Sequence, residues 1–197
     1  EAKMELKGEI VANHINNNDI LSNDFLSELA YDYIKNNNIE SYVQNININN
    51  NVKTCGQYNR ETYSLNLNPD LNYKMNIRDY DMVDCKDYQT SIKMKKNELF
   101  NLKILHVLYH ELIHAKQNYI KNEENNEISS IIKNENILSE NNINAYYDAH
   151  DRFVIEYNAN FEAYLEIIKL LCTVNNEYSK QVQKLVKIWK QRKVLKW

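Results

Sequence analysis

The chain has 197 residues, a length that suits a single domain with its own hydrophobic core. Its formal net charge of −3, with 26% charged residues, gives no sign of a nucleic-acid-binding surface. The three cysteines lack paired spacing, which argues against a disulfide framework, and no signal peptide or transmembrane-length apolar run is visible, so we expect a cytoplasmic protein.

The first predicted element is a helix from Asn23 to Lys35, which we expect to act as scaffold. Six apolar residues at helical spacing would form its buried stripe: Phe25, Leu26, Leu29, Ala30, Tyr33 and Ile34. Alternating apolar residues then predict short strands within Tyr42–Ile48, Val52–Tyr58 and Tyr63–Leu67.

The second and third strands are separated by residues 59–62, which form the tip of a hairpin if the two strands pair. An edge strand within residues 52–68 could alternatively bind an extended peptide by main-chain hydrogen bonds, and the sequence does not separate these possibilities. Residues 70–95 are polar and predict loops.

A second helix is predicted from about Asn97 to Ile120, and it carries the motif His110-Glu111-Leu112-Ile113-His114. Apolar residues surround the motif on most sides, so the helix is expected to be buried: Leu99, Leu102, Ile104, Leu105, Val107, Leu108, Leu112 and Ile113. His106 lies one turn before His110. Three histidines along one straight helix spread too far to close a tetrahedron, so we interpret His106 as a core residue.

The motif predicts a zinc site, because residues four apart on a helix can bring both imidazoles to one cation at about 2.0–2.1 Å. His110 and His114 are the predicted ligands. Glu111 would flank the metal as a general base rather than bind it. The alternative is a surface helix that happens to carry two histidines, but the apolar flanks argue against it.

A catalytic zinc needs a third protein ligand. One large class of such enzymes continues the motif with a glycine and a further histidine, where this chain has Gln117 and Ile120. The remaining pattern takes a glutamate from another helix, and apolar anchors at Val154, Phe161, Leu165, Ile168 and Cys172 predict one over 151–172.

Within that helix Glu156 is the preferred ligand, over Glu162 and over Asp148 before it. Its own face carries Ala159 and Ala163, small residues that let two helices approach closely, whereas Glu162 shares its face with charged residues. Asn160 lies one turn beyond Glu156 and is predicted to accept the second imidazole proton of a ligating histidine.

The remaining segments are a polar connection at 122–148, with a short helix or two, and a basic segment at 179–197. The basic segment has seven cations and no acids: Lys180, Lys184, Lys187, Lys190, Arg192, Lys193 and Lys196. We expect a final helix that docks its apolar stripe on the domain. Binding to an anionic membrane or partner is the alternative.

The motif His110-Glu111-x-x-His114 followed by Glu156-x-x-Ala159-x-x-x-Ala163 resembles the gluzincin branch of the zincin metallopeptidases. Within that branch it is similar to small repressor-cleaving peptidases and single-domain bacterial proteases. The resemblance covers two helices. It implies an α+β, zincin-like fold, in which a small, mostly antiparallel sheet packs on the motif helix and the C-terminal half is mainly helical.

The resemblance also implies a function, zinc-dependent hydrolysis of peptide bonds, most simply as an endopeptidase. It implies His110, His114 and Glu156 as metal ligands and Glu111 as the base. Many members have aspartate where Asn160 stands, so the partner of the histidine differs here. Tyr146, Tyr147 and His150 are candidate oxyanion donors.

The expected partner is a peptide or protein substrate, not a nucleic acid. The alternatives are a binding module that keeps the peptidase fold, with or without metal, and a zinc hydrolase that acts on something other than peptides.

Overall fold

The computed structural model describes residues 2–17, 19–74, 96–144 and 153–171, together with Lys180 and Gln183. These residues form an α+β arrangement that is mostly helical, with a small three-stranded mixed sheet. The helices are α1 (Ala2–Asn16), α2 (Asn23–Asn36), α3 (Pro69–Lys74), α4 (Lys96–Glu123), α5 (Glu127–Asn141) and α6 (Val154–Leu171). The strands are β1 (Asn45–Ile48), β2 (Gly56–Asn59) and β3 (Ser64–Leu67), with a short 3-10 helix, Glu40–Tyr42, before β1.

Helix α2 confirms its prediction, since all six residues of the predicted stripe are buried. Ser22 caps the helix by accepting the Phe25 backbone N–H at 3.1 Å. Helix α1 was not predicted, because its apolar residues lack a clear helical period. Val11 and Ala12 nevertheless lie in the core.

The sheet has the order β1-β3-β2, with β1 parallel and β2 antiparallel to the central strand β3. The expectation of a mostly antiparallel sheet is therefore only half right. Alternating apolar residues predict which face of a strand is buried, but they do not predict whether the neighbouring strand runs parallel or antiparallel to it. The predicted hairpin between β2 and β3 is present, with residues 60–63 as its turn, and β2 is an edge strand.

Helix α4 runs through the core and confirms the predicted motif helix with slightly wider bounds. Its residues Leu102, Leu105, Leu108 and Leu112 are completely buried. They join α2, α6 and the buried face of β3 in one hydrophobic core. The helix that carries the motif is therefore also the central packing element of the described fold.

Helix α6 forms where predicted, but its predicted anchors are not its most buried residues, although Phe161 and Ile168 do pack against the core. Val154, Phe161, Leu165 and Ile168 are only partly buried, and Cys172 lies outside the described residues. The buried face instead carries Ile155, Glu156, Ala159, Asn160, Ala163, Tyr164, Ile167, Leu170 and Leu171. Because this helix is apolar on most sides, its small residues select the face that packs on α4.

One further segment differs from expectation, because helix α3 occupies the start of the predicted loop region. Residues 75–95 lie outside the described part.

The short helix predicted within the polar connection is present as α5, which has an N-terminal capping box between Asn126 and Ser129. The predicted basic C-terminal helix lies outside the described residues apart from Lys180 and Gln183. None of the described helices has the length and apolar character needed to cross a membrane.

Gly56 allows β2 to lie directly against α4. A Cβ at this position would overlap Val107 Cγ1, and it would also come within 3.5 Å of Glu111 Cγ. A larger residue would therefore force the Val107 side chain or the edge strand to move.

We expect Gly56→Ala to lower the free energy of unfolding by about 1–3 kcal/mol, the usual cost of overpacking. Thermal or denaturant unfolding would measure the loss. Gln57→Ala is the matched control, because Gln57 is the next residue of β2 and is exposed. Equal stability of the two variants would contradict the close packing of β2 on α4.

Candidate metal centre

Three potential ligand atoms meet where α4 packs on α6. His110 Nε2 lies 3.0 Å from His114 Nε2, and Glu156 Oε2 lies 3.1 Å from the first nitrogen and 3.2 Å from the second. These side chains are 14%, 19% and 5% exposed, so the group is sheltered but reachable. Within the described residues, these three side chains form a group whose ligand atoms lie close enough together to hold one metal ion.

The other nitrogen of each imidazole is fixed by an amide. His110 Nδ1 donates to Asn160 Oδ1 at 2.7 Å, as predicted for Asn160, and His114 Nδ1 donates to Gln117 Oε1 at 2.8 Å. A proton on Nδ1 leaves the lone pair of a neutral imidazole on Nε2. The Nε2 lone pairs of His110 and His114 therefore both face Glu156.

Three proton acceptors at such distances repel one another unless a positive charge lies among them. A zinc ion fits the donor set, because it binds imidazole nitrogen and carboxylate oxygen. Tetrahedral ligands held at about 2.0–2.1 Å from zinc lie about 3.3–3.4 Å from one another, close to the separations here. The residues present therefore fit the metal that the motif predicts.

A proton can also supply a positive charge among these three acceptors. Burial lowers the pKa of His114, but the carboxylates of Glu156 and Glu111 raise it more, and the resulting pKa is about 9. In the metal-free protein His114 is then protonated at neutral pH. A metal must displace this proton before it can use the nitrogen.

Glu111 lies beside the edge strand. Its Oε2 accepts the backbone N–H of Tyr58 at 2.7 Å, which ties the carboxylate to β2. The negative charge of Glu111 also helps to raise the pKa of His114. Glu111 therefore ties the helix that carries both histidines to the edge strand β2.

A cleft of about 410 Å³ opens next to His114 and Glu156. The β2–β3 hairpin and α5 both contribute to its lining. Its lining residues are Gln57, Tyr58, Asn59, Arg60, Glu61, His114, Gln117, Asn118, Ile132, Asn136, Ser139, Ile155 and Glu156. Arg60 and Glu140 form an ion pair of 2.8 Å that links the hairpin turn to α5.

Two residues that hold the site were not predicted from the sequence. Gln117 was considered only as a departure from another ligand pattern, although its position one turn after His114 was a usable signal. Glu135 on α5 is completely buried and accepts the backbone N–H groups of Val154 and Ile155 at 2.7 and 2.8 Å. No local pattern connects Glu135 with α6.

The other candidate residues fall into two groups. His106 is buried, packs on the Tyr164 ring at 4.5 Å and lies outside the ligand group, as predicted. Burial keeps its pKa well below the ordinary value, so it is neutral. Glu162 is only partly buried and does not join the ligand group. Asp148 and the predicted oxyanion donors Tyr146, Tyr147 and His150 lie outside the described residues.

Comparison with protein-family models, with curated proteins and with solved structures returned no match.

We expect the stability of the metal-free protein to fall as the pH rises from about 6.5 to about 9. The pKa of His114 is raised on folding, so protonation stabilises the folded state fully below 6.5, and that stabilisation is lost as the pH passes about 9. Denaturant unfolding in the presence of a chelator would measure it. Glu156→Gln removes the carboxylate that raises the pKa of His114 most, so it should flatten the dependence of stability on pH. An unchanged dependence in this variant would contradict the assignment of Glu156 as the main partner of His114.

Proposed function

We propose that this chain is a zinc-dependent metallopeptidase that hydrolyses internal peptide bonds of a peptide or protein. The observation that carries the proposal is the meeting of His110, His114 and Glu156 at the side of a cleft, with Glu111, from the same helix as the two histidines, bonded to the edge strand β2. Local sequence accounts for the histidine pair, but the meeting with Glu156 depends on the packing of α6 on α4.

His110, His114 and Glu156 would hold the metal. When bound, zinc supplies a Lewis acid that polarises a carbonyl and lowers the pKa of water toward about 7. Glu111 would take a proton from the attacking water and pass it to the leaving amine. The Tyr58 N–H holds one carboxylate oxygen of Glu111 and so restricts its orientation during both transfers.

The cleft suits an extended peptide. Strand β2 forms one of its walls, and the main-chain groups of an edge strand can pair with an added strand. The Tyr58 N–H already binds Glu111, so a substrate would pair through other groups of β2. The main-chain groups of an edge strand point alternately toward its neighbour and away from it. Those of Tyr58 and Gly56 therefore both point away from β3.

The first test is metal binding. We expect one zinc ion per chain, and we expect Glu156→Gln to weaken zinc binding by more than about 100-fold because it removes a ligand. Isothermal titration of the metal-free protein would measure the dissociation constants. Glu162→Gln is the matched control on the same helix and should bind like the wild type. Equal loss in both variants would reject Glu156 as the third ligand.

The second test is turnover. Glu111→Gln should keep zinc and the contact with the Tyr58 N–H, but it removes the base and should lower peptidase activity by about 10²–10⁴-fold. Cleavage of casein or of a peptide library, followed by mass spectrometry, would measure this. Glu124→Gln, at an exposed position just after α4, is the control.

Retained activity in Glu111→Gln would end the assignment of the base. A wild-type protein that binds zinc but cleaves no member of the library would instead favour the alternative of a metal-loaded binding module.

A further inference from the structure

The first turn of α6 is held from two sides at the residue that precedes Glu156. The N–H of Ile155 donates to Glu135 Oε2 at 2.8 Å, and the carbonyl of Ile155 accepts from Gln117 Nε2 at 2.9 Å. Both polar main-chain groups of one residue are thus bound by side chains from two other helices. Ile155 is itself buried.

Glu135 satisfies main-chain donors that the helix cannot satisfy itself. The first N–H groups of an α-helix have no partner within the helix, and Glu135 accepts two of them, from Val154 and Ile155. Its carboxylate also lies at the positive end of the helix dipole. The anchor comes from α5, so α5 determines where α6 begins.

Through one amide group, Gln117 connects the proposed ligand His114 to the main chain beside the proposed ligand Glu156. Its oxygen accepts from His114 Nδ1, while its nitrogen donates to the Ile155 carbonyl and, at 3.0 Å, to Asn158 Oδ1. The orientation of the His114 ring and the position of the α6 backbone beside Glu156 are therefore coupled. Gln117 is buried, so water does not readily replace these bonds.

We propose that Gln117 and Glu135 form a clamp on Ile155 that sets the third metal ligand, Glu156, against the histidine pair. The inference rests on the proposed zinc site. Both clamp residues are positioning residues, because they act through Ile155 and His114. Without the clamp, Glu156 remains on α6, but the first turn can shift relative to α4.

The first experiment needs neither metal nor variant. Amide hydrogen exchange of the metal-free wild-type protein should show slow exchange at Val154 and Ile155, although N–H groups in a first helical turn usually exchange fast. Fast exchange at both residues would overturn the clamp whatever the protein binds.

The second experiment measures zinc affinity in variants of similar shape. Gln117→Met and Glu135→Met should each weaken zinc binding by about 10–100-fold, the usual effect of losing a group that orients a ligand. Glu135→Gln keeps one carbonyl acceptor and should recover part of the affinity. The visible spectrum of the cobalt-loaded protein should change in both methionine variants, because it reports the ligand geometry.

Asn101→Leu is the matched structural control. Asn101 is also a buried amide on α4 that binds the main chain of another segment, through Leu21 N–H at 3.1 Å and the Asp19 carbonyl at 2.8 Å. It lies 16 residues before Gln117, about 24 Å along the helix. This variant should lose stability and keep the wild-type zinc affinity and cobalt spectrum.

The outcomes separate the two proposals. Wild-type zinc affinity in both methionine variants, with weak binding by Glu156→Gln, would overturn the clamp and leave the zinc site standing. Weakened binding in Asn101→Leu to the same extent would also overturn it, because the effect would then follow general stability. No zinc binding by the wild type would overturn both proposals, even if exchange at Ile155 is slow.

Discussion

Two imidazole nitrogens and one carboxylate oxygen lie within 3.0–3.2 Å of one another between α4 and α6, and this contact requires a positive charge. A proton on His114 satisfies the requirement in the metal-free protein, which is why its pKa rises despite burial. A metal ion would satisfy it in another way. The surrounding structure must hold the three atoms together in either state.

The packing of α6 on α4 provides that restraint. Ala159 and Ala163 are completely buried and have almost no side chain, so the two helix backbones can approach closely. Asn160, on the same face, reaches His110. A buried carboxylate such as Glu156 is costly unless a charge or donors compensate it. The charge on His114 compensates Glu156 in the metal-free protein, and the apolar contacts of the helix pair hold the two groups within reach of each other.

The sequence predicted those parts of the site that depend on local geometry. The spacing of His110 and His114 needs only the repeat of one helix, and the small residues after Glu156 identified the face of its helix that packs on α4. The position of Glu135 could not be predicted, because its contact with Ile155 joins separate helices. For the same reason the parallel pairing of β1 with β3 was missed, since strand direction depends on the path of the chain.

The position of Glu111 depends on the sheet as much as on its own helix. Tyr58 binds its carboxylate through a main-chain N–H, and Gly56, two residues earlier, lets β2 lie close enough for that bond. A main-chain donor does not depend on the Tyr58 side chain, so the contact survives substitution there but not displacement of the strand. In the proposed peptidase the strand that forms a wall of the cleft also orients the base. A substrate that pairs with β2 would therefore bind to the same element that positions Glu111.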